Sequence, residues 1–161
     1  MAALLAVMGM SAAPANAQPS PFSDLIAVQE ATARFHSVHE AVAAGYLPTN
    51  ECVPGMGYHW VNPALFEPPG ESRLDLRKPE VLLYERTARG GLRLTGVEYL
   101  WSDADQDLRT DNDRPSLFGV PFVGPMEGHG PGMPKHYELH AWVWKYNANG
   151  LFAQENPKVT C

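Results

Sequence analysis

The densest run of reactive side chains is His136-Tyr137-Glu138-Leu139-His140, followed closely by Trp142 and Trp144. Side chains alternate along a β-strand, so a strand over Lys135 to Tyr146 puts His136, Glu138, His140, Trp142 and Trp144 on one face. Tyr137, Leu139, Ala141 and Val143 then share the other. Imidazole and carboxylate together suit zinc, copper(II) or non-haem iron. Residues two apart on a strand are about 7 Å apart and can converge on one ion, whereas His136 and His140, about 13 Å apart, do not easily share one. A first shell therefore takes one of them, with Glu138 or Glu98, plus a histidine from elsewhere. His59, in the aromatic run Gly57 to Val61, and His129, in the Gly-rich stretch leading into His136, are the candidates.

Glu98 is the second unusual residue. Alternation groups it with Leu92, Leu94, Gly96 and Leu100, an otherwise apolar face. A buried carboxylate must be protonated, hydrogen-bonded, paired with a cation or bound to a metal. An ion pair with an arginine and a metal site are the two competing readings, and Gly96 leaves room beside it for a ligand or another backbone. His39 is isolated and reads as a core-edge histidine. No zincin, zinc-finger, phosphate-loop, nucleophile-elbow or dinucleotide signature occurs. Asp103, Asp105 and Asp107 copy the start of a calcium loop, but Leu108 and Arg114 stand where Gly and Glu are needed, which predicts a solvated acidic loop.

Several elements must position these residues. The spacing of Leu25, Val28, Thr32, Phe35, His39 and Val42 predicts one helix from Ser23 to Ala44, capped by Ser23 and ended by Gly45. Strands are predicted at Gly57 to Val61, Val81 to Arg86, Leu92 to Trp101 and Lys135 to Tyr146, the middle two joined as a hairpin through Arg89-Gly90-Gly91. The expected fold class is α+β, one long N-terminal helix packed on a mainly antiparallel sheet with long Gly/Pro loops.

Residues 1–17 read as a signal peptide, a short apolar run followed by Ala15-Asn16-Ala17, and residues 18–161 as a single domain. Export to an oxidising compartment predicts that the only two cysteines, Cys52 and Cys161, pair. A formal charge of −6 argues against nucleic acid as a partner. No later stretch is apolar enough to hold the chain in a membrane after signal cleavage.

The segments Gly55-Met56-Gly57-Tyr58-His59-Trp60-Val61-Asn62-Pro63, Pro79-Glu80-Val81-Leu82-Leu83-Tyr84-Glu85, Gly96-Val97-Glu98-Tyr99 and Gly132-Met133-Pro134-Lys135-His136-Tyr137-Glu138-Leu139-His140 occur in that order. Together they resemble a family of small exported bacterial proteins without an assigned activity, over a span from about Ala33 to Cys161. The resemblance implies a common fold and a shared site around His59, Glu98, His129, His136 and His140. It supplies no substrate. The residues themselves point to a pocket for a divalent transition metal, in a metal-dependent hydrolase or oxidase or in a metal carrier. His59, His129 and His136 or His140 are its expected nitrogen ligands, Glu98 or Glu138 a ligand or the general base that activates a metal-bound water, and Tyr58, Trp142 and Trp144 its apolar walls. The competing reading is a metal-free protein that uses the same aromatic and polar face for a small organic ligand or an interaction partner.

Overall fold

The computed structural model describes residues 21–161, so the leader expected at 1–17 lies outside the described residues. A six-stranded antiparallel sheet dominates the fold. Its strands are β1 (Leu47–Val53), β2 (Gly57–Val61), β3 (Val81–Arg86), β4 (Leu92–Ser102), β7 (Val123–Met126) and β8 (His136–Ala141), in the order β1-β2-β3-β4-β8-β7. The short β5 (Ser116–Leu117) and β6 (Val120–Pro121) pair separately.

The expected long N-terminal helix does not form, and the α+β layout built on it gives way to a sheet-dominated fold. The segment is instead a 12-residue helix α1 (Pro21–Thr32), a 3-10 turn (Ala33–His36) and a six-residue helix α2 (Val38–Ala43). Two local competitors explain the break. Thr32 turns its hydroxyl back onto the Val28 carbonyl at 2.7 Å, a bond that bends helices. Ser37 leaves helical space (φ −90°, ψ 113°) and its side chain accepts from the Glu40 N–H, capping a new helix. Val28, Thr32 and Phe35 remain buried, while the break rotates His39 and Val42 to the surface. Gly45, at φ +96°, does end the helical segment.

The helical pieces cover one face of the sheet, where Val28, Phe35 and Ala41 pack with Trp60, Leu82, Tyr84, Val97, Tyr99, Tyr137, Leu139 and Ala141. Three tyrosines in this core donate to backbone carbonyls, Tyr46 to Pro79, Tyr84 to Phe35 and Tyr99 to Leu76. The opposite face carries a smaller apolar group, Val81, Leu83, Leu100, Trp142 and Val159. Cys52 and Cys161 are joined in a disulfide that closes a span of 109 residues and fastens the C-terminus beside β1. In the chain-entropy picture such a closure is worth about 4–5 kcal/mol.

Two irregularities decide which side chains reach the second face. The β3–β4 ladder slips between Leu83 and Tyr84: Leu83 pairs with Gly96 but Tyr84 with Leu94, so Thr95 bulges and bonds its hydroxyl to the Leu83 carbonyl. Leu94 therefore lies in the helix-side core, not beside Glu98 as strict alternation predicts. The last strand also stops early. After Ala141 the Trp142 N–H bonds to Leu151 and the Trp144 N–H to Thr95, which turns the chain across the sheet. Among the described residues no helix is long and apolar enough to cross a membrane.

Candidate metal centre

Register brings the chemistry together. On β8 and β4, His140 stands opposite Glu98, Glu138 opposite Leu100 and His136 opposite Ser102. The side chains of Glu98, Glu138, His136 and His140 are all buried. His59 reaches in from β2 and its Nε2 lies 3.6 Å from Glu98 Oε2, while His140 Nε2 lies 3.9 Å from the same oxygen. His136 Nε2 is 3.8 Å from Glu138 Oε2, and His129, on the loop before β8, sets its ring 4.9 Å from the His136 ring.

Two donor groups result, His59/Glu98/His140 and His129/His136/Glu138, and within each one donor atom per residue lies within 4.8 Å of the others. Ligands about 2.1 Å from a tetrahedral ion sit about 3.4 Å from one another. The observed spacings of 3.6, 3.8 and 3.9 Å are close to that and too long for hydrogen bonds. Glu98 Oε2, His136 Nε2 and both ring nitrogens of His140 are buried with no hydrogen-bond partner among the described residues. Left so, each such atom costs about 1–3 kcal/mol.

The protonation states of the imidazoles favour ligation. Burial pulls the His140 imidazole down to about 4, with His59 and His129 adding to the effect and Glu138 opposing it. Burial also lowers His59, so both rings are neutral and carry free lone pairs at neutral pH. Burial, followed by the charge of Glu138 and a hydrogen bond to it, holds the Glu98 carboxyl well above the usual range. Burial alone would raise Glu138 too, but His136, His140, Gln154 and Glu98 outweigh it and bring Glu138 down to about 2. Burial and Glu138 thus favour the neutral form of Glu98, while the neighbours of Glu138 favour its ionised form. That is a carboxylate pair without a cation.

Surrounding contacts orient the donors. His136 Nδ1 lies 3.2 Å from the Pro134 carbonyl; with the proton on that nitrogen, Nε2 is the free donor, the arrangement common around metal-binding histidines. Gln154, from the C-terminal segment, donates to Glu138 Oε1 at 2.7 Å. The Trp142 ring stacks on His140, with centroids 5.9 Å apart and planes at 18°. Gly96 permits this, because a Cβ there would stand 2.7 Å from the Ala141 carbonyl oxygen and 3.2 Å from Trp142.

The six candidate donors, Glu98, Glu138, His59, His129, His136 and His140, are therefore brought together. Of the three expected walls only Trp142 touches the site. Trp144 lies on the helix side, its Nε1 donating to Thr32 and its ring against His36, because the strand has ended before it. Tyr58 also faces the helix-side core, and its hydroxyl accepts from Arg86; as the strand neighbour of His59 it cannot share that residue's face. Gln154 and Phe66, whose ring is 6.2 Å from that of His136, complete the surroundings without any periodic signal in the sequence. Among the described residues no arginine pairs with Glu98; Arg93 goes to Glu85 instead. The acidic loop differs in part from expectation, since Asp103 is buried while Asp107 pairs with Arg109.

Comparison with protein-family models, with curated proteins and with solved structures finds no match.

Proposed function

We propose that this protein binds a divalent transition metal ion, zinc, copper(II) or iron, through the His/Glu centre on the second face of the sheet. The observation that carries this reading is the set of buried donor atoms on Glu98, His136 and His140 that meet no hydrogen-bond partner, at spacings near those of a metal's ligands. The spacing also weighs against the organic-ligand alternative, because donors gathered within 4.8 Å leave room for an ion and not for a molecule of several heavy atoms. Two cavities, of about 410 and 580 Å3, are lined by residues of 142–151 and of 64–80, and neither is lined by any of the six donors.

Carriage or storage of the ion fits a centre this enclosed. Hydrolysis or oxidation of a small molecule would require approach past the exposed His129 or the partly exposed His59. Glu98 or Glu138 would then be the proton acceptor. The disulfide and the leader-like residues 1–17 support export, as does the resemblance to the exported bacterial family.

The test is elemental analysis of the chain purified without a histidine tag, together with melting curves. Stoichiometric metal and a rise in melting temperature on adding zinc, copper(II) or iron are expected. At 100 times the dissociation constant, an ion that binds only the folded state adds about 2.7 kcal/mol. Metal content far below stoichiometric, with no thermal shift from any of the three ions, would overturn the reading.

A further inference from the structure

Resting on the metal reading above, we infer that the centre takes two ions side by side, one in each donor group. The groups share no residue and have matching composition: two imidazoles and one carboxylate in His59/Glu98/His140, and the same set in His129/His136/Glu138. His136 and His140 cannot serve a single ion. They are four residues apart on one strand, about 13 Å along its axis, and their Nε2 atoms face different carboxylates, Glu138 for His136 and Glu98 for His140.

The groups are nevertheless contiguous. His140 presents Nε2 to Glu98 Oε2 at 3.9 Å and Nδ1 to Glu138 Oε1 at 4.0 Å, and both nitrogens are otherwise unpartnered. A single ion in the first group would leave His136 Nε2 still buried without a partner; a second ion satisfies it.

The second group is built, not incidental. The loop that carries His129 folds back on itself so closely that a Cβ on Gly128 would stand 2.1 Å from the Met133 carbonyl oxygen. Only glycine fits there. Met133 donates its N–H to Gly130, and the His129 N–H bonds to the Met133 sulfur at 3.4 Å. These contacts hold the His129 ring edge-on to His136. The two ions would differ in access, since His129 is exposed whereas the first group contains two buried residues and a partly exposed His59.

The experiment strips the whole chain with EDTA and titrates it with cobalt(II) and, separately, zinc(II). Visible absorption follows the cobalt, and elemental analysis after desalting counts both metals. The wild-type protein should take up two equivalents, and His129→Ala and His59→Ala one each. A single equivalent in the wild type, abolished by either substitution, would overturn the two-ion inference while leaving the metal reading in place. No bound metal in the wild type would remove the metal reading itself, and the inference with it. Should His59→Ala fail to fold, the wild-type count and the exposed-loop variant His129→Ala still decide.

Discussion

Two clusters of buried carboxylate sit on the same sheet and solve the cost of burial in opposite ways. Glu85, on β3, is 2% exposed and is met by two cations, the Arg93 guanidinium and the Lys145 ammonium. Its charge is neutralised by the chain itself, and Lys145 is anchored further by the Lys158 carbonyl. Glu98, also 2% exposed and on the neighbouring strand, has a second carboxylate and two neutral imidazoles for company. Among the described residues only the first cluster carries its own cations; the second offers His/Glu groups that could hold a metal, and this contrast separates a structural ion pair from a candidate binding centre.

The largest expected effect tests the first cluster. Glu85→Ala leaves Lys145 partly buried without its counter-ion, and breaking such a pair should lower unfolding stability by about 3 kcal/mol or more. Chemical denaturation at neutral pH measures the loss, which should be the same with zinc and with EDTA. A loss that zinc restores would show that Glu85 belongs to the metal centre and would dissolve the comparison.

Glu80 offers an intermediate case, a buried carboxylate that among the described residues meets no cation and belongs to neither His/Glu group. Burial raises it to about 8, and the N–H of Leu100, bonded to its Oε2 at 3.0 Å, only partly offsets this. The folded value lies above the unfolded value of 4.5, so the folded state binds more protons in between. The stabilising contribution is therefore complete below pH 4.5 and is lost as pH rises toward and through 8. At about 1.4 kcal/mol per unit, roughly 3 kcal/mol has gone by pH 7. Glu80→Gln cannot ionise, so its stability relative to wild type should climb by about that amount between pH 4.5 and 7. Parallel pH profiles for the two proteins, measured in EDTA, would show that Glu80 does not titrate in this way.

Much of the centre is legible from alternation, because a regular strand leaves a side chain only two choices of face. His136, Glu138 and His140 lie together on β8 for that reason, and the inward position of Glu98 follows from the same rule. The rule fails where regularity does. The bulge at Thr95 sends Leu94 to the helix side, and the departure of the chain after Ala141 does the same to Trp144. The helical segment shows an equivalent failure. The 3.6-residue spacing persists through Ser37, but a serine able to cap a new helix is also a place to end an old one. The positions of His59, Gln154 and Glu80 depend on strand order and on the path of the C-terminal segment, information that is long-range and carries no local period.

The smallest effect on stability, and the sharpest on binding, is expected at Glu98 itself. Burial and the neighbouring Glu138 push its carboxyl up, toward the neutral form, and Glu98→Gln supplies a neutral group of nearly the same shape. In EDTA the variant should unfold within about 1 kcal/mol of wild type, the worth of one neutral hydrogen bond. An amide cannot shed a proton to become an anionic oxygen ligand. Loss of an outer partner alone typically weakens metal binding about 10–100-fold, so replacing a direct ligand should weaken it at least to the upper end of that range. Melting curves with and without zinc separate the two consequences: the unliganded curves should nearly coincide, and the zinc-induced rise should shrink. A large loss in EDTA with an unaltered zinc response would instead place Glu98 with Glu85, as a carboxylate whose partners the chain already supplies.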